Sequence, residues 1–325
     1  MRTIHHILMW QRFVLFKIGF RSYLLRNRYG ERIIAFHGID LSGENKYNSR
    51  FISKAYFEEL MDYFSKNYNV LSLEDFYVGR FKKNTLNIAL TFDDGQYNNY
   101  KFALPILKKH KFPATFFITS IHDKKNVLWP DFLDLVTFYT EKKEVVFEGN
   151  AYRKTGRNDF SHNGSTLKNR CKFLEYDQIE PIYALFEKEW NQIITGDFDV
   201  YWKLLNNNQI KEIAENPLFS IGAHGMTHAN LEAITKENAE AEIRSNKTIL
   251  EEITRTKINS FAFPFGTYTD DLVASCQQTG YSKILLLDYK TEKDKYNPML
   301  KNRITINPYI SKEQFLVCLL KGSYL

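Results

Sequence analysis

Two histidines four positions apart, His224 and His228, have the residue type and spacing of metal ligands. They directly follow residues 219–223, a short apolar run typical of a buried strand. Two imidazoles at this spacing can converge on one cation if the segment turns, and Zn²⁺ favours such sets with one position open for water. Gly225 follows the first histidine, which excludes the HExxH pattern of metalloproteases. The pair is therefore predicted to bind a metal.

Two adjacent carboxylates, Asp93 and Asp94, follow a predicted strand at residues 87–92. The carboxyl ends of parallel strands are where α/β enzymes build their sites. Because neighbouring side chains diverge, one aspartate could bind a cation while the other moves protons. An Asp-Asp-Gly turn is also common in loops without a catalytic role, so this pair by itself leaves both interpretations open.

Two weaker candidates also lie at strand ends. Residues 263–266 contain a proline and a glycine, which stiffen the turn and permit close backbone approach, so the Phe265 N–H could point at an oxyanion. His37 ends the first predicted strand, and a histidine packed in the core is the alternative for it. Since all these features lie at the carboxyl ends of strands, they could share one rim.

Short β-branched or aromatic runs alternate with amphipathic stretches along the chain, which predicts an α/β sheet or barrel. Strands are predicted at residues 32–37, 69–73, 87–92, 114–119, 219–223, 260–264, 283–287 and 303–306. Helices are predicted at residues 54–67, 98–110, 236–254 and 270–279. The alternation breaks from about residue 122 to 217, and this stretch is interpreted as a mostly helical insertion on one face of the barrel.

The composition is that of an ordinary globular protein. With 325 residues, 44% hydrophobic and 25% charged, the chain can bury a sizeable core. The net charge of +6 is spread along the sequence, so no nucleic-acid surface is indicated. The three cysteines show no CxxC spacing and leave at least one thiol unpaired, which favours a reducing compartment over a disulfide framework.

The N-terminal segment, residues 1–29, is basic and aromatic and is predicted to be helical. Charged residues interrupt its apolar stretches, so no run approaches the ~20 residues of a spanning helix, and no secretory cleavage site is clear. Residues 7–25 could lie on a membrane surface as an amphipathic helix, although packing on the protein's own core is the favoured alternative. We therefore expect a cytoplasmic protein, peripheral at the inner membrane face if that helix binds lipid.

Three motifs, in order, resemble those of the polysaccharide deacetylase family, also called the NodB homology domain or carbohydrate esterase family 4. They are Thr91-Phe-Asp-Asp-Gly95, His224-Gly-Met-Thr-His228 and Phe263-Pro-Phe-Gly266. The resemblance implies a distorted (β/α) barrel of the NodB type over residues 30–325, with one divalent metal. Zn²⁺ is the expected ion, with Co²⁺ or Mn²⁺ as alternatives. It also implies that Asp93 is the catalytic base and that Asp94, His224 and His228 hold the metal.

The sequence departs from the family pattern in the third motif and near its C-terminal end. Ala262 occupies the position of an arginine that usually partners the catalytic aspartate, which leaves open what orients Asp93. The usual C-terminal Leu-x-His is missing, since residues 303–307 contain no histidine. Some relatives that act on exopolysaccharides supply the acid from the first strand, and Phe36-His37-Gly38 resembles that arrangement. His37 is therefore assigned as the general acid.

The resemblance implies a metal-dependent hydrolase that removes N-acetyl groups from amino sugars of a polysaccharide, a glycan precursor or a lipid-linked sugar. In this hypothesis Asp93 takes a proton from the attacking water, the Phe265 N–H and the metal stabilise the oxyanion, and His37 protonates the departing amine. Two alternatives stay open: hydrolysis of another amide or imide at the same metal, and a catalytically degenerate barrel that only binds glycans. The intact aspartate pair and histidine pair argue against the second.

Overall fold

The part of the chain that the computed structural model describes runs from residue 29 to residue 324, without residues 44, 46, 124, 157 and 158. The helix predicted at residues 7–25, and the membrane contact expected from it, lie outside the described residues. The helices within the described part are all too short or too polar to cross a lipid bilayer.

A nine-stranded parallel sheet curls into a nearly closed barrel at the centre of the fold, which confirms the predicted class. The strands are, in chain order, β1 (Gly30–Phe36), β2 (Ile39–Asp40), β3 (Ile52–Ser53), β4 (Asn69–Val70), β5 (Leu86–Phe92), β6 (Ala114–Ile118), β7 (Glu144–Phe147), β8 (Asn150–Lys154), β9 (Phe160–His162), β10 (Ser165–Thr166), β11 (Phe219–Ala223), β12 (Ser260–Ala262), β13 (Lys283–Leu286), β14 (Leu300–Asn302) and β15 (Ile304–Thr305). The barrel order is β14-β13-β12-β11-β6-β5-β1-β15, with β4 beside β5. Strands β2 and β3 form a separate pair.

The helices lie in the connections between strands, except the last one, which follows β15. They are, in chain order, α1 (Lys54–Asn67), α2 (Leu73–Tyr77), α3 (Leu104–His110, after a π-helical turn at Asn99–Ala103), α4 (Trp129–Tyr139), α5 (Leu167–Cys171), α6 (Tyr176–Ile179), α7 (Pro181–Leu185), α8 (Glu187–Ile194), α9 (Asp199–Trp202), α10 (Asn207–Glu215), α11 (Lys236–Thr254), α12 (Asp270–Gln278) and α13 (Lys312–Lys321). Ser53 and Thr235 cap α1 and α11 by accepting a backbone N–H of the first turn. These two helices have the predicted bounds.

The barrel closes between β14 and β15, which are separated only by Arg303. On one side of the closure β14 pairs with β13, and on the other β15 pairs with β1. The Arg303 N–H donates to the carbonyl of Leu286 at 2.9 Å, which continues the ladder to β13. One short stretch of chain therefore joins the two edges of the sheet, with an arginine at the junction.

The insertion has a hydrophobic core of its own, whose buried members run from Val127 to Trp202. Helices α4 to α9 lie in this region, together with an antiparallel sheet in the order β10-β9-β8-β7 that the sequence did not predict. Ile210 and Ile213 of α10 pack instead in the core of the barrel. The core of the insertion thus ends before the predicted boundary at residue 217.

Candidate active site

The predicted site residues follow four strands of the barrel. Asp93 and Asp94 come after β5, His37 after β1, His224 after β11 and Phe265 soon after β12. Strands β1, β5, β6, β11 and β12 are consecutive and parallel in the sheet. Their carboxyl ends therefore lie at one edge, as the sequence predicts.

Three of these residues form a compact cluster of metal-ligating atoms. Asp94 Oδ1 lies 3.4 Å from His224 Nε2 and 3.2 Å from His228 Nε2. The three ligand atoms lie within 4.8 Å of one another, and all three residues are buried. One carboxylate and two imidazoles form a donor set that suits Zn²⁺ and leaves room for water. These residues could hold one divalent cation.

The hydrogen bonding of the cluster fits a cation. Within the described residues, neither carboxylate oxygen of Asp94 receives a hydrogen bond of normal geometry, although the side chain is fully buried. Such a buried acceptor is costly unless it has a partner, and a metal ion would provide one. His224 Nδ1 lies 2.8 Å from the carbonyl of Ala262 and donates to it, which leaves the Nε2 lone pair directed at Asp94.

The charge states of the ligands also suit a metal. Burial alone would raise the pKa of Asp94, but the positive charge of Arg50 and the contacts with the two imidazoles lower it well below its usual value. Burial lowers the pKa of His228, which keeps that ring neutral. An ionised carboxylate and a neutral imidazole are the forms that bind a cation without first losing a proton.

Three residues of the site have backbone conformations that side chains rarely adopt. Asp94, His228 and Phe265 have φ values of 79°, 60° and 59°. Each such residue costs about 1–3 kcal/mol, so the surrounding structure must hold it in place. At Gly95, which also has a positive φ, a Cβ would lie 2.9 Å from the side chain of Ile118. The tight loop after β5 therefore requires glycine beside Asp94.

Helix α11 supports the histidine loop through Asn246, which the sequence analysis did not single out. Its Oδ1 accepts the His224 N–H at 2.8 Å. Its Nδ2 donates to the carbonyl of Ile118 at 3.2 Å and lies 3.0 Å from Ser120 Oγ. Asn246 thereby ties the first histidine to the end of β6.

Glu242, one turn earlier on α11, holds the backbone between the two histidines. Its carboxylate accepts the N–H groups of Met226 and Thr227 at 2.7 and 2.8 Å and the Thr227 hydroxyl at 2.6 Å. Burial raises the pKa of Glu242 against the effect of these donors. Glu242 and Asn246 could have been found from the sequence as two polar residues, four positions apart, on the buried face of an amphipathic helix.

Arg303 supplies the partner of Asp93 that the third motif lacks. Its Nη1 and Nη2 atoms donate to Asp93 Oδ1 and Oδ2 at 2.6 and 2.8 Å, and both side chains are almost fully buried. Burial would raise the pKa of Asp93, but the charge and hydrogen bonds of Arg303 outweigh it and hold this pKa below its usual value. The arginine therefore comes from the junction between β14 and β15 and not from the position of Ala262.

Arg50 makes a second arginine–aspartate contact in the site, which the sequence did not predict. Its Nη1 lies 3.2 Å from Asp94 Oδ2, and its Nη2 donates to Asp131 Oδ1 at 2.7 Å. Asp131, on α4 of the insertion, also accepts from Asn48 and Gln96 at 2.8 Å each. Burial raises the pKa of Asp131 to about 6, against the opposing charge of Arg50. Arg50 thus links Asp94 to the insertion.

His37 and Phe265 lie beside the cluster. Burial lowers the pKa of His37 to about 4, with the charge of Asp94 acting in the opposite direction, so the ring is neutral at pH 7. The Phe265 ring packs edge-on against His228, with centroids 4.7 Å apart, and also contacts Trp129 at 5.9 Å. The general-acid role of His37 and the oxyanion role of the Phe265 N–H stay predictions.

Comparison with known proteins identifies the family. The family model for polysaccharide deacetylase matches residues 82–284, which is more than half of the chain. The chain therefore belongs to the polysaccharide deacetylase family.

Two solved structures share the fold. The deacetylase PplD of Streptococcus pyogenes, solved in complex with acetate, aligns with a TM-score of 0.57 and 18% identity over 88% of this chain and 96% of that one. IcaB from Ammonifex degensii aligns with a TM-score of 0.55 and 17% identity over 90% of this chain and 97% of that one.

The protein YxkH of Bacillus subtilis (strain 168) is 21% identical over 111 residues, 34% of this chain and 39% of its own length. This chain thus matches less than half of that relative.

Proposed function

We propose that this protein is a metal-dependent hydrolase that removes N-acetyl groups from amino sugars of a polysaccharide or glycan precursor. The observation that carries the proposal is the pairing of two aspartates with different partners. Asp94 faces two imidazole Nε2 atoms, whereas Asp93 is held by an arginine and remains outside the ligand set. Membership of the polysaccharide deacetylase family supplies the substrate class.

The cation would be held by Asp94, His224 and His228. A divalent ion, Zn²⁺ first and Co²⁺ or Mn²⁺ as alternatives, would polarise the acetyl carbonyl and lower the pKa of water at the site. The positive charge of Arg50 balances the Asp94 carboxylate. Its guanidinium lies against Asp94 Oδ2, while Oδ1 faces the imidazoles. Arg50 therefore orients the carboxylate so that one oxygen remains available for a metal.

Asp93 would act as the general base. Arg303 keeps this carboxylate ionised at neutral pH and fixes its orientation through two hydrogen bonds. A carboxylate oxygen retains a further lone pair, which can accept the proton of the attacking water.

The Phe265 N–H would donate to the oxyanion. His37, neutral at pH 7, would have to gain a proton before it could protonate the departing amine. The expected cytoplasmic location, at the inner membrane face, belongs to the same proposal.

The test is a comparison of metal content and acetate release. Protein loaded with Zn²⁺, Co²⁺ or Mn²⁺ is incubated with N-acetylhexosamine oligomers and with N-acetylated lipid-linked sugars. We expect Asp94→Ala and His228→Ala to lose bound metal and acetate release together, because each removes a ligand. Asp93→Asn should keep the metal and lose activity, because it removes only the base.

Two results would overturn the proposal. One is the absence of acetate from both substrate classes with all three metals. The other is full activity in metal-free Asp94→Ala protein. Release of ammonia or another acid from a different amide, without acetate from the sugars, would favour the alternative amide or imide hydrolase.

A further inference from the structure

Three cationic side chains lie on one side of the candidate active site. Lys168 and Lys172 are four positions apart at α5 of the insertion, a spacing that places them on the same helix face. Arg50 comes from the chain just before β3. The side chains of Arg50 and Lys168 are 28% and 30% exposed, and Lys172 is also partly exposed. We call these three residues the cationic wall.

The cationic wall is adjacent to the reacting groups. Lys172 Nζ lies 5.3 Å from the centroid of the Phe265 ring, and that ring packs on His228. Arg50 directly contacts Asp94. A substrate whose acetyl group reaches the metal ligands would therefore place its neighbouring groups against the wall.

Lys172 is the member of the wall without a carboxylate partner. Lys168 pairs with Asp134 at 2.5 Å, and Arg50 is shared between two aspartates. Among the described residues, no carboxylate lies within ion-pair distance of Lys172. Burial, and then the charges of Lys168 and Arg50, lower the pKa of Lys172. An anion would relieve the repulsion from Lys168 and Arg50, which the charge of Asp134 offsets only in part, and the ammonium offers it three donors.

We propose that the cationic wall binds a phosphate group of the substrate through Lys172, so that the substrate is a phosphorylated N-acetyl amino sugar. A phosphate carries up to two negative charges and several acceptor oxygens, and lysine binds it as a point charge. The inference rests on the proposed deacetylase function for its acetyl group. It goes further by excluding a neutral glycan as the preferred substrate.

The first experiment compares two sugars that differ only in charge. Acetate release from N-acetylglucosamine 1-phosphate and from methyl N-acetylglucosaminide is measured with the metal-loaded wild type, Lys172→Met and Lys188→Met. Lys188 is an exposed lysine of α8 and serves as the control. We expect the wild type to prefer the phosphorylated sugar. Lys172→Met should reduce kcat/KM for that sugar roughly tenfold, mainly through KM, and reduce kcat/KM for the neutral sugar much less, whereas Lys188→Met should match the wild type on both sugars.

The second experiment measures binding without turnover. Inorganic phosphate is titrated into the metal-loaded wild type and both variants by calorimetry, and we expect roughly tenfold weaker binding in Lys172→Met alone. If neither sugar releases acetate, this titration still tests the wall, whereas the deacetylase proposal is tested separately with the oligomers and lipid-linked sugars. The inference is overturned if the titrations of wild type and Lys172→Met coincide. It is also overturned if the wild type does not prefer the phosphorylated sugar, or prefers an N-acetylated sugar that carries only a carboxylate.

Discussion

Two arginines hold the two aspartates of the site in different ways. Arg303 donates to both oxygens of Asp93, whereas Arg50 contacts one oxygen of Asp94 and leaves the other facing the imidazoles. A carboxylate with one oxygen held by protein can still bind a cation through the other. The difference in contacts supports the separate roles that we propose for these adjacent aspartates.

Replacement of Arg303 by glutamine should move the pH dependence of activity. Without the guanidinium, burial dominates and the pKa of Asp93 rises, so less of the base is ionised at a given pH. We expect the acid limb of the kcat/KM profile to shift to higher pH, and kcat at neutral pH to fall about 10²-fold. Metal content, measured in the same samples, should stay unchanged.

Arg303→Lys is the matched control for this prediction. It keeps a positive charge but cannot donate to both oxygens in the planar geometry of a guanidinium. We expect a smaller shift of the acid limb than in Arg303→Gln. An unchanged pH profile in the glutamine variant would show that Arg303 does not govern the ionisation of Asp93.

Short sequence motifs predicted the candidate metal ligands, but they could not predict the two arginines that contact Asp93 and Asp94. Asp94, His224 and His228 are recognisable because their spacing and strand context restrict what they can do. Arg303 is 210 residues from Asp93 along the chain, and Arg50 lies in a stretch without any motif. The partner of an arginine depends on which strands become neighbours, and this order is not visible in local patterns.

At the level of elements, helix α11 determines the shape of the histidine loop. Glu242 and Asn246 accept three backbone N–H groups of this loop between them. Removal of Glu242 would take the acceptor from the N–H groups of Met226 and Thr227, at a cost of about 1–3 kcal/mol each. The position of both imidazoles therefore depends on a helix that itself supplies no ligand.

Glu242→Ala should weaken metal binding by about 10- to 100-fold, the usual effect of losing a residue that orients a ligand. Competition with a chelator of known affinity would measure the change. Glu252→Ala, at an exposed position of the same helix, is the control and should bind metal as the wild type does. Equal affinities in the two variants would contradict the supporting role of Glu242.

Periodicity predicted the elements of the barrel better than those of the insertion. Continuous apolar runs such as β5 and β11 stand out because both faces of a parallel strand are buried. Strands β7 to β10 are only two to five residues long, and several of their side chains are exposed. Their pairing depends on the local core of the insertion, which a short and mostly polar sequence pattern does not reveal.

For the whole molecule, the three candidate metal ligands come from separate parts of the barrel. Asp94 follows β5 and the two histidines follow β11, with β6 between these strands. A cation bound by all three would therefore link distant segments of the chain. Because such a cation binds the folded form selectively, it should stabilise the whole barrel.

Removal of the metal should lower the thermal midpoint by several degrees. A ligand at about 1,000 times its Kd adds about 4 kcal/mol to the free energy of unfolding. Differential scanning calorimetry with and without a chelator measures this change, and added Zn²⁺ should restore the midpoint. His228→Ala should show no response to the chelator. A chelator effect of equal size in that variant would mean that the stabilising ion binds elsewhere.

The junction between β14 and β15 has a consequence for the order in which this protein matures on the ribosome. Translation produces Asp93 and both histidines long before Arg303. Until Arg303 has been synthesised, the barrel of the nascent chain cannot close, and the Asp93 carboxylate lacks its positively charged partner. Closure of the barrel and formation of the ion pair between Asp93 and Arg303 should therefore occur together, as one late event of biosynthesis.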